Sequence, residues 1–506
     1  MKLKIIFLSL FWPAACFSQS EFINTAFGNN GTTCVDIPGY TIKMADIKKI
    51  NDTYYGLTNF TNTNLVKLSS NGNLISSFGN NGYLPLNIGP TGGSVYGKDS
   101  EILITPNNEL ILVTTPNGMI TDNFITKTDL NGTTITSFGN NGFIPKWNSD
   151  FIYSMSAELI NNEIVLVGAG SIITDPQNIQ RYIFVRKYDI DGHPVSSFGN
   201  NGLLTAPIGN FVSPNGMHYF PDTNRVAFTA HYFDNIQYYG IIAMYDMENG
   251  VADPGFGTGG FINLYPTDDT TVYPLTLHCD NNNIYVAGRI STPPVETLFV
   301  RKMNHTGQPD LTFGSGDGIY ERTISNAPFR YVSSINETQG KLTITGSLTY
   351  DGTYDKLFLQ RLNENGTDDT SFGNNGIIIN PMNSAHVGSG YSTLIEEHHI
   401  TVATLSLECT SDDQPKPAVI QFFAETVMGN EQQQQPLQGF YPNPVKDILN
   451  FTAAMERAEV YDMAGKLVIS ANTMANSINL SQLQNGLYLV RVYENGNTKN
   501  IRIIKE

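Results

Sequence analysis

Apolar residues in this chain come in short blocks bounded by turn residues, not at the spacing of a helix face. Leu110-Ile111-Leu112-Val113, Ile164-Val165-Leu166-Val167 and Ile284-Tyr285-Val286-Ala287 each follow an Asn-rich stretch. A second kind of block, such as Leu357-Phe358-Leu359-Gln360-Arg361-Leu362, runs into a glycine turn, here Asn363-Glu364-Asn365-Gly366. Blocks of this length with such boundaries predict β-strands. Their order recurs. Phe-Gly pairs begin at Phe27, Phe78, Phe138, Phe198, Phe256, Phe313 and Phe372, so by subtraction the intervals are 51, 60, 60, 58, 57 and 59 residues. A glycine stands six residues before the Phe in six copies: Gly72, Gly132, Gly192, Gly250, Gly307 and Gly366. A fixed register of this kind suits a hairpin, and a fixed period signals a repeat architecture.

Four short strands per unit describe a β-propeller blade better than a solenoid coil, whose repeats are shorter. The Phe is expected on the outermost strand, packing toward the neighbouring blade. The following Gly is expected to turn the chain toward the next innermost strand. The end copies decide the topology. The first copy, Asn24 to Gly31, has no glycine six residues upstream, while Pro417 to Ala424 aligns with Leu357 to Leu362 and has no Phe-Gly after it. The two deficits cancel if an N-terminal strand, residues 19–27, completes the last blade and leaves no open edge. The expected fold is therefore all-β: a seven-bladed β-propeller closed by the N-terminal strand and followed by a small β-sandwich. The repeated signature, roughly residues 22–425, resembles the delta-60 repeat family. That resemblance implies a propeller-like fold and assigns no chemistry. Phe256-Gly257-Thr258-Gly259-Gly260 and Phe313-Gly314-Ser315-Gly316-Asp317-Gly318 depart from its pattern.

Residues 1–18 read as a secretory signal peptide: Lys2 and Lys4 supply the basic region, Ile5 to Trp12 the apolar one, and Cys16-Phe17-Ser18 a small-residue exit. Eight apolar residues ending at Pro13 fall short of the roughly 20 a membrane span needs. Pro13 also stands where a lipoprotein site carries Leu, which argues against lipid attachment at Cys16. Cleavage leaves Cys34, Cys279 and Cys409, read as three isolated thiols, with a Cys34–Cys409 pair as the alternative if the chain ends meet.

The leader carries +2, and seven Lys/Arg against six Asp/Glu give residues 440–506 a charge of +1. The −17 of the whole chain therefore leaves −20 on residues 19–439. That field argues against a nucleic-acid or anionic-membrane partner, since both need a basic face.

Residues 426–439, with Gln432 to Gln435, read as a flexible linker. Beyond it, strands are expected at Ile448 to Thr452, Arg457 to Tyr461, Lys466 to Ser470 and Leu487 to Tyr493, in a β-sandwich spanning 440–506. This tail resembles the type A C-terminal sorting domain of the type IX secretion system of Bacteroidota. The matching pieces are Tyr441-Pro442-Asn443-Pro444, Val460-Tyr461-Asp462 with Gly465-Lys466, Leu483 with Gly486-Leu487-Tyr488-Leu489-Val490, and the basic end from Lys499 to Lys505. The resemblance implies that Tyr441, Pro442, Asn443, Pro444, Gly465, Lys466, Gly486, Tyr488, Lys499 and Lys505 carry the sorting signal, and that the type IX machinery is a partner. It also implies passage through the periplasm to the outer surface or the medium.

No catalytic, cofactor or metal site is read in the sequence. The histidines (His193, His218, His231, His278, His305, His386, His398 and His399) show no metal-ligand spacing, and neighbours such as His398-His399 face opposite sides of a strand. Asp189-Ile190-Asp191-Gly192 lacks the ligand count of a calcium loop and reads as a turn. Basic residues recur five positions before the turn glycine (Lys67, Lys127, Lys187, Lys302 and Arg361, with Tyr245 the exception) and read as exposed or cross-strand-paired strand positions. Sialidase turns are missing, and the mature chain keeps only Trp147 for the tryptophan junctions of a quinoprotein. The expected function is an exported binding or adhesion protein with a glycan or protein ligand. The alternative is a polysaccharide hydrolase or lyase with a site at the propeller channel, and a purely structural surface protein is a third reading.

Overall fold

The computed structural model describes residues 22–38, 41–60, 63–88, 100–115, 123–147, 151–175, 178–209, 211–233, 238–264, 271–292, 295–324, 327–350, 354–379, 387–406, 416–424, 440–441, 445–455, 457–462, 466–471, 475–494 and 497–505. The expected signal peptide and linker lie outside the described residues. Two compact units form, Met1–Val427 and Met428–Glu506, and no α-helix occurs among the described residues.

Among the described residues the larger unit is a succession of seven antiparallel sheets, none of them closed on itself. The first is Thr41–Ile50, Thr53–Phe60, Asn64–Ser69 and Tyr83–Pro85, paired in that order. The next five begin at Ser100, Phe151, Phe211, Thr271 and Phe329 and repeat the plan, with the outer place of the fourth sheet shared by Val251–Ala252 and Phe261–Asn263. The seventh comprises Val387–Ile395, His399–Ser406, Lys416–Phe423 and, as its outer strand, Thr32–Cys34. Thr32 pairs with Ile420 and Cys34 with Ala418.

The terminal strand thus lies after the first motif copy, not in residues 19–27 as expected. Of that stretch, Ile23 makes a single bridge to Phe422. Cys34 is disulfide-bonded and Cys279 is a free thiol, which corrects the reading of three isolated thiols, and Cys409 lies outside the described residues.

Each consecutive pair of sheets shares one buried apolar cluster. Tyr55, Leu57, Leu65 and Phe78 meet Ile102, Leu110 and Leu112 between the first and second sheets. Phe27, Met44, Ile47 and Val66 meet Ala403 and Val419 between the first and the seventh. Side chains on the two faces of each sheet therefore feed two different cores, which explains the continuous apolar runs of its middle strands.

The Phe-Gly motif occupies the connection between the third and fourth strands. It is not on the outermost strand, and it does not carry the chain to the next sheet. Phe78 accepts from Gly82 N–H at 2.8 Å, and Asn80 N–H donates to Tyr83 O at 2.7 Å, so the motif is a tight turn that launches the fourth strand. Gly79 has φ +51°, and a Cβ there would lie 2.2 Å from Tyr83 O.

The ring does reach a neighbour, as expected, and the partner is the next repeat's turn glycine. A Cβ on Gly72 would lie 2.6 Å from the Phe27 ring, one on Gly192 2.9 Å from Phe138, and one on Gly366 2.9 Å from Phe313. Backbone bonds reinforce the contact: Gly28 N–H donates to Asn71 O, and Gly139 N–H to Asp191 O, both at 2.7 Å. Phe372 has no following turn glycine, and Phe22 packs edge-on against it at 5.9 Å instead. Phe198 departs from the rule. A Cβ on Gly250 would meet only Thr205 O, at 3.6 Å, and the ring stays half-buried.

The basic residues serve the same junctions and are not surface charges. Lys127, Lys302 and Arg361 are buried. Lys187 Nζ lies 4.5 Å from the centre of the Phe198 ring, and the Arg361 guanidinium 4.3 Å from that of Phe372, within cation–π range. Lys67 Nζ donates to Leu130 O at 2.8 Å and Lys127 Nζ to Ile190 O at 3.4 Å, carbonyls two residues before the next turn glycine. Glu109, Asp310 and Asp369 balance Lys127, Lys302 and Arg361 at 2.7, 2.9 and 2.8 Å. In the fourth repeat Tyr245 does not take the place of the basic residue: Met244 N–H donates to Gly260 O at 2.9 Å, as Lys187 N–H does to Gly202 O, and Met244 lies in the cluster that buries Phe256.

Carboxylates tie the first strands of the sheets together. Buried Asp46 accepts Ile102 N–H at 2.9 Å from the second sheet and Ser392 Oγ–H at 2.5 Å from the seventh. Glu101 accepts Ala157 N–H at 2.5 Å from the third. Phe138→Ala is expected to lower stability by about 3–5 kcal/mol, the usual loss for a buried ring. Phe198→Ala should cost clearly less, and chemical denaturation of the whole chain that gave equal losses would refute the glycine socket.

Candidate functional site

The smaller unit is built from two sheets around Val445, Leu449, Ala458, Val460, Ile478, Val490 and Ile503. One sheet orders Phe440–Tyr441, Ile448–Met455 and Ala475–Asn479. The other orders Leu467–Ala471, Arg457–Tyr461, Gly486–Glu494 and Asn497–Lys505. Sequence patterning located four of these seven strands and missed the two-residue Phe440–Tyr441 together with Ala475–Asn479 and Asn497–Lys505, whose polar residues hide the alternation.

The resemblance residues fall into two places. Gly486 and Lys505 are register partners, as are Tyr488 and Ile503, and Lys499 pairs with Val492. Val445 N–H donates to Ile504 O at 2.7 Å, so the chain leaving the Pro-Asn-Pro segment is fastened to the final strand. Tyr488 Oη donates to Gln484 O at 2.9 Å. Tyr441 pairs with Asn450 at one sheet edge, and Lys466 N–H donates to Asp462 Oδ1 at 2.9 Å just ahead of Leu467–Ala471. Pro442, Asn443, Pro444 and Gly465 lie outside the described residues.

A polar network escaped the sequence reading. Glu459 accepts Tyr461 Oη–H at 2.7 Å and Tyr493 Oη–H at 2.9 Å and is paired with Arg457, whose guanidinium lies 4.4 Å from the Tyr493 ring centre. The Tyr461 hydroxyl is the main cause holding the Glu459 carboxyl below its ordinary value. The alternation Arg457-x-Glu459-x-Tyr461 was the available signal, since every second strand residue shares a face. Leu487 and Ile504, direct cross-strand partners, are 38% and 47% exposed.

In the larger unit the chemistry-bearing side chains are spread out. His218 Nδ1 stands 3.5 Å from Glu158, His305 Nε2 stands 3.0 Å from Asp280 O, and the Phe220 ring lies between the two imidazoles at 4.7 and 4.8 Å. His386 lies outside the described residues. Asp189 Oδ1 is occupied by Asp191 N–H and His193 N–H at 3.0 and 2.8 Å, the turn role expected of it. Among the described residues no group of three or more His, Cys, Asp or Glu could hold a metal. A cleft of about 370 Å³ is lined by Lys302, Thr312, Asn363, Glu364 and Asn365, but Lys302 is already committed to Asp310. Burial pushes the Cys279 thiol up.

Residues 439–506 match the family described as the secretion system C-terminal sorting domain. The tail is thus a sorting domain of the type IX system, and it implies handling by that machinery and export to the cell surface or the medium. Comparison with curated proteins gives no match. Solved structures similar in outline include PorZ, a surface component of the type IX secretion system of Porphyromonas gingivalis, at 12% identity and TM-score 0.36, covering 94% of this chain and 61% of that one. The chain thus spans about three-fifths of the PorZ structure it matches. Others are the polysaccharide lyase Uly1, at 10% identity and TM-score 0.45, covering 78% and 92%, and the β-propeller domain of the Trilobed protease from Pyrococcus furiosus, at 10% identity and TM-score 0.38, covering 77% and 99%. Likeness at this level carries no functional argument. Among the described residues, no helix is long and apolar enough to cross a membrane.

Burial holds His231, His278 and His399 below the ordinary imidazole value of 6.5. The unfolded chain takes up these protons first, so their contribution is present above about pH 6.5 and lost as pH falls below it. Asp310 is held at about 2 by the Thr312 hydroxyl and Lys302. Asp369 is also held at about 2: burial opposes this, but the Ser371 hydroxyl and the Arg361 charge outweigh it. Their contribution is lost as pH falls from the ordinary 3.8 through about 2. Thermal midpoints should therefore drop in two stages on acidification, and a flat profile between about pH 7.5 and 5.5 would contradict the histidine stage.

Proposed function

We propose that residues 19–425 form a seven-bladed β-propeller closed by the N-terminal segment. We further propose that residues 440–506 deliver it through the type IX route, by way of the periplasm, and that the mature protein is a non-catalytic binding or adhesion module for a glycan or protein ligand. Closure is supported by the cluster shared between the seventh and first sheets and by Asp46, which reaches both neighbours of its own sheet. The sorting signal is read from Tyr441 to Pro444, Gly465, Lys466, Gly486, Tyr488, Lys499 and Lys505. Four of these belong to the paired strands that end the module.

One observation carries the binding reading. Antiparallel order puts the Phe-Gly turns of all repeats at one end of the sheets, and there the connections hold nearly one length. Thirteen residues separate Ser69 from Tyr83, Asp189 from Leu203 and Asn363 from Ile377. At the other end the crossings to the next sheet run from three residues between Pro207 and Phe211 to fourteen between Pro85 and Ser100. A scaffold conserved at one end and varied at the other is built to present loops.

Deleting residues 440–506 should hold the protein in the periplasm, and normal extracellular amounts of that variant would refute the export assignment. The exported protein should be retained by a component of a glycan array or by a surface-protein pull-down. Turnover of a polysaccharide panel with no stable binding would replace the binding reading with the channel enzyme.

A further inference from the structure

The four-stranded sheet of the smaller unit is apolar on both faces, although only one face is covered. Val460, Val490 and Ile503 point into the sandwich core and are fully buried. Side chains alternate along a strand, so Tyr461, Leu487, Leu489 and Ile504 lie on the outer face. Leu487 and Ile504 are direct cross-strand partners, while Tyr461 pairs with Leu489 on one side and Leu467 on the other. Two adjacent rungs of apolar side chains result. Val468, bulged out between the pairings of Leu467 and Ile469, extends them at the sheet edge. Leu467 and Val468 are 45% and 36% exposed, which with Leu487 and Ile504 leaves four large aliphatics open to solvent on one side.

The other half of that face is covered by its own side chains, since Glu459 holds Arg457, Tyr461 and Tyr493 there. The residues that carry the resemblance to a sorting signal lie on the opposite side of the same strands. Tyr488 packs against the core and Lys505 is buried. They shape the module, and whatever reads it from outside meets the aliphatic strip.

Exposed aliphatics clustered on one sheet face mark an interaction site. The charges around the strip describe the partner. Exposed Lys466 immediately precedes Leu467, and the Arg491 guanidinium lies 5.4 Å from the centre of the Tyr461 ring. The carboxylate on this face, Glu459, is already paired with Arg457. An apolar ridge bordered by carboxylates complements this surface. A second copy of the tail does not, because an isologous pairing sets the same cationic rim against itself.

We propose that the strip of Leu467, Tyr461, Leu487, Leu489 and Ile504 is the surface on which a component of the type IX machinery docks. The occupant follows from the family match, which implies handling by that machinery. The inference rests on the reading that residues 440–506 deliver the chain, and it adds which side of the module is read.

The test uses full-length variants in cells that carry the machinery. Leu487→Thr combined with Ile504→Thr suits an exposed strand and should lower the extracellular amount at least about tenfold, with the protein collecting in the periplasm. Ile448→Thr changes an equally exposed aliphatic on the other sheet and should be exported like wild type. Normal export of the double variant, while deletion of residues 440–506 is held back, would overturn the strip and leave the export reading standing. Normal export of the deletion itself would remove both. Equal losses in Ile448→Thr and the double variant would overturn the choice of face.

A photo-cross-linking side chain at Leu487, in an otherwise wild-type chain, answers independently of how the threonine variants fold. A covalent adduct with a type IX component is expected, and it should vanish when the same group stands at Ile448. Adducts with a second copy of this chain, or no adduct, would overturn the proposal.

Discussion

The structure depends on one steric exchange: a phenylalanine ring in one repeat occupies the space that a missing Cβ leaves in the next. The Phe27–Gly72, Phe138–Gly192 and Phe313–Gly366 contacts are too close for any side chain larger than hydrogen on the glycine. Close packing gives such a contact its force, since the ring's partner atoms are lost as soon as the neighbour shifts. Each repeat also needs its glycine for its own backbone, which has φ +76° at Gly72 and +85° at Gly192. One residue type thus answers a local and a non-local demand at the same position. This is the consistency between levels that gives a chain a single native arrangement.

The basic residues extend the same logic into electrostatics. A lysine or arginine over the motif ring covers the ring's face with charge. Its remaining donors then reach a carbonyl across the junction, as Lys67 reaches Leu130 O. Burying a cation is costly unless it is paired, and Glu109, Asp310 and Asp369 supply the pairs. The fourth repeat shows that the arrangement is dispensable at one junction. There Met244 stands where the other repeats carry a cation, in the cluster that buries Phe256, and at the preceding junction, where Gly250 offers Phe198 no tight socket, aromatic packing of Phe211, Phe228 and Tyr245 fills the core.

Much of the fold was legible because the repeat makes the same statement several times. The period, the turn glycine six residues before the Phe and the shortage of strands at both ends all point to paired termini. Spacing could not tell the turn between the third and fourth strands from the crossing to the next sheet, because both follow an apolar block. The closing strand was therefore placed ahead of Phe27 when it lies beyond it, at Thr32–Cys34. Of the basic ladder, the cross-strand pairing expected of it holds at Lys187 and Glu163, while the exposure does not hold at Lys127, Lys302 and Arg361: alternation marks which face a residue shares and is silent on whether another sheet covers that face. Glu459 was missed because its partners Tyr461 and Tyr493 come from two strands 32 residues apart by subtraction. The loop-bearing end of the repeats was illegible for the opposite reason, since nothing there recurs.

The charge balance narrows what that end can receive. Residues 19–439 carry −20, and at least three of the few cations in that stretch are buried at sheet junctions with carboxylate partners, unavailable to a ligand. A polyanionic polysaccharide, the substrate type of an enzyme that eliminates across a uronate, would approach against this field, and its encounter rate would fall accordingly. A neutral glycan, or a protein surface rich in lysine and arginine, meets no such barrier. Electrostatics thus weighs against a lyase that acts on a polyanion. The three buried pairs cancel charge for charge, so the field comes from the 40 Asp/Glu that outnumber the 20 Lys/Arg of residues 19–439 (46 − 6 against 29 − 7 − 2).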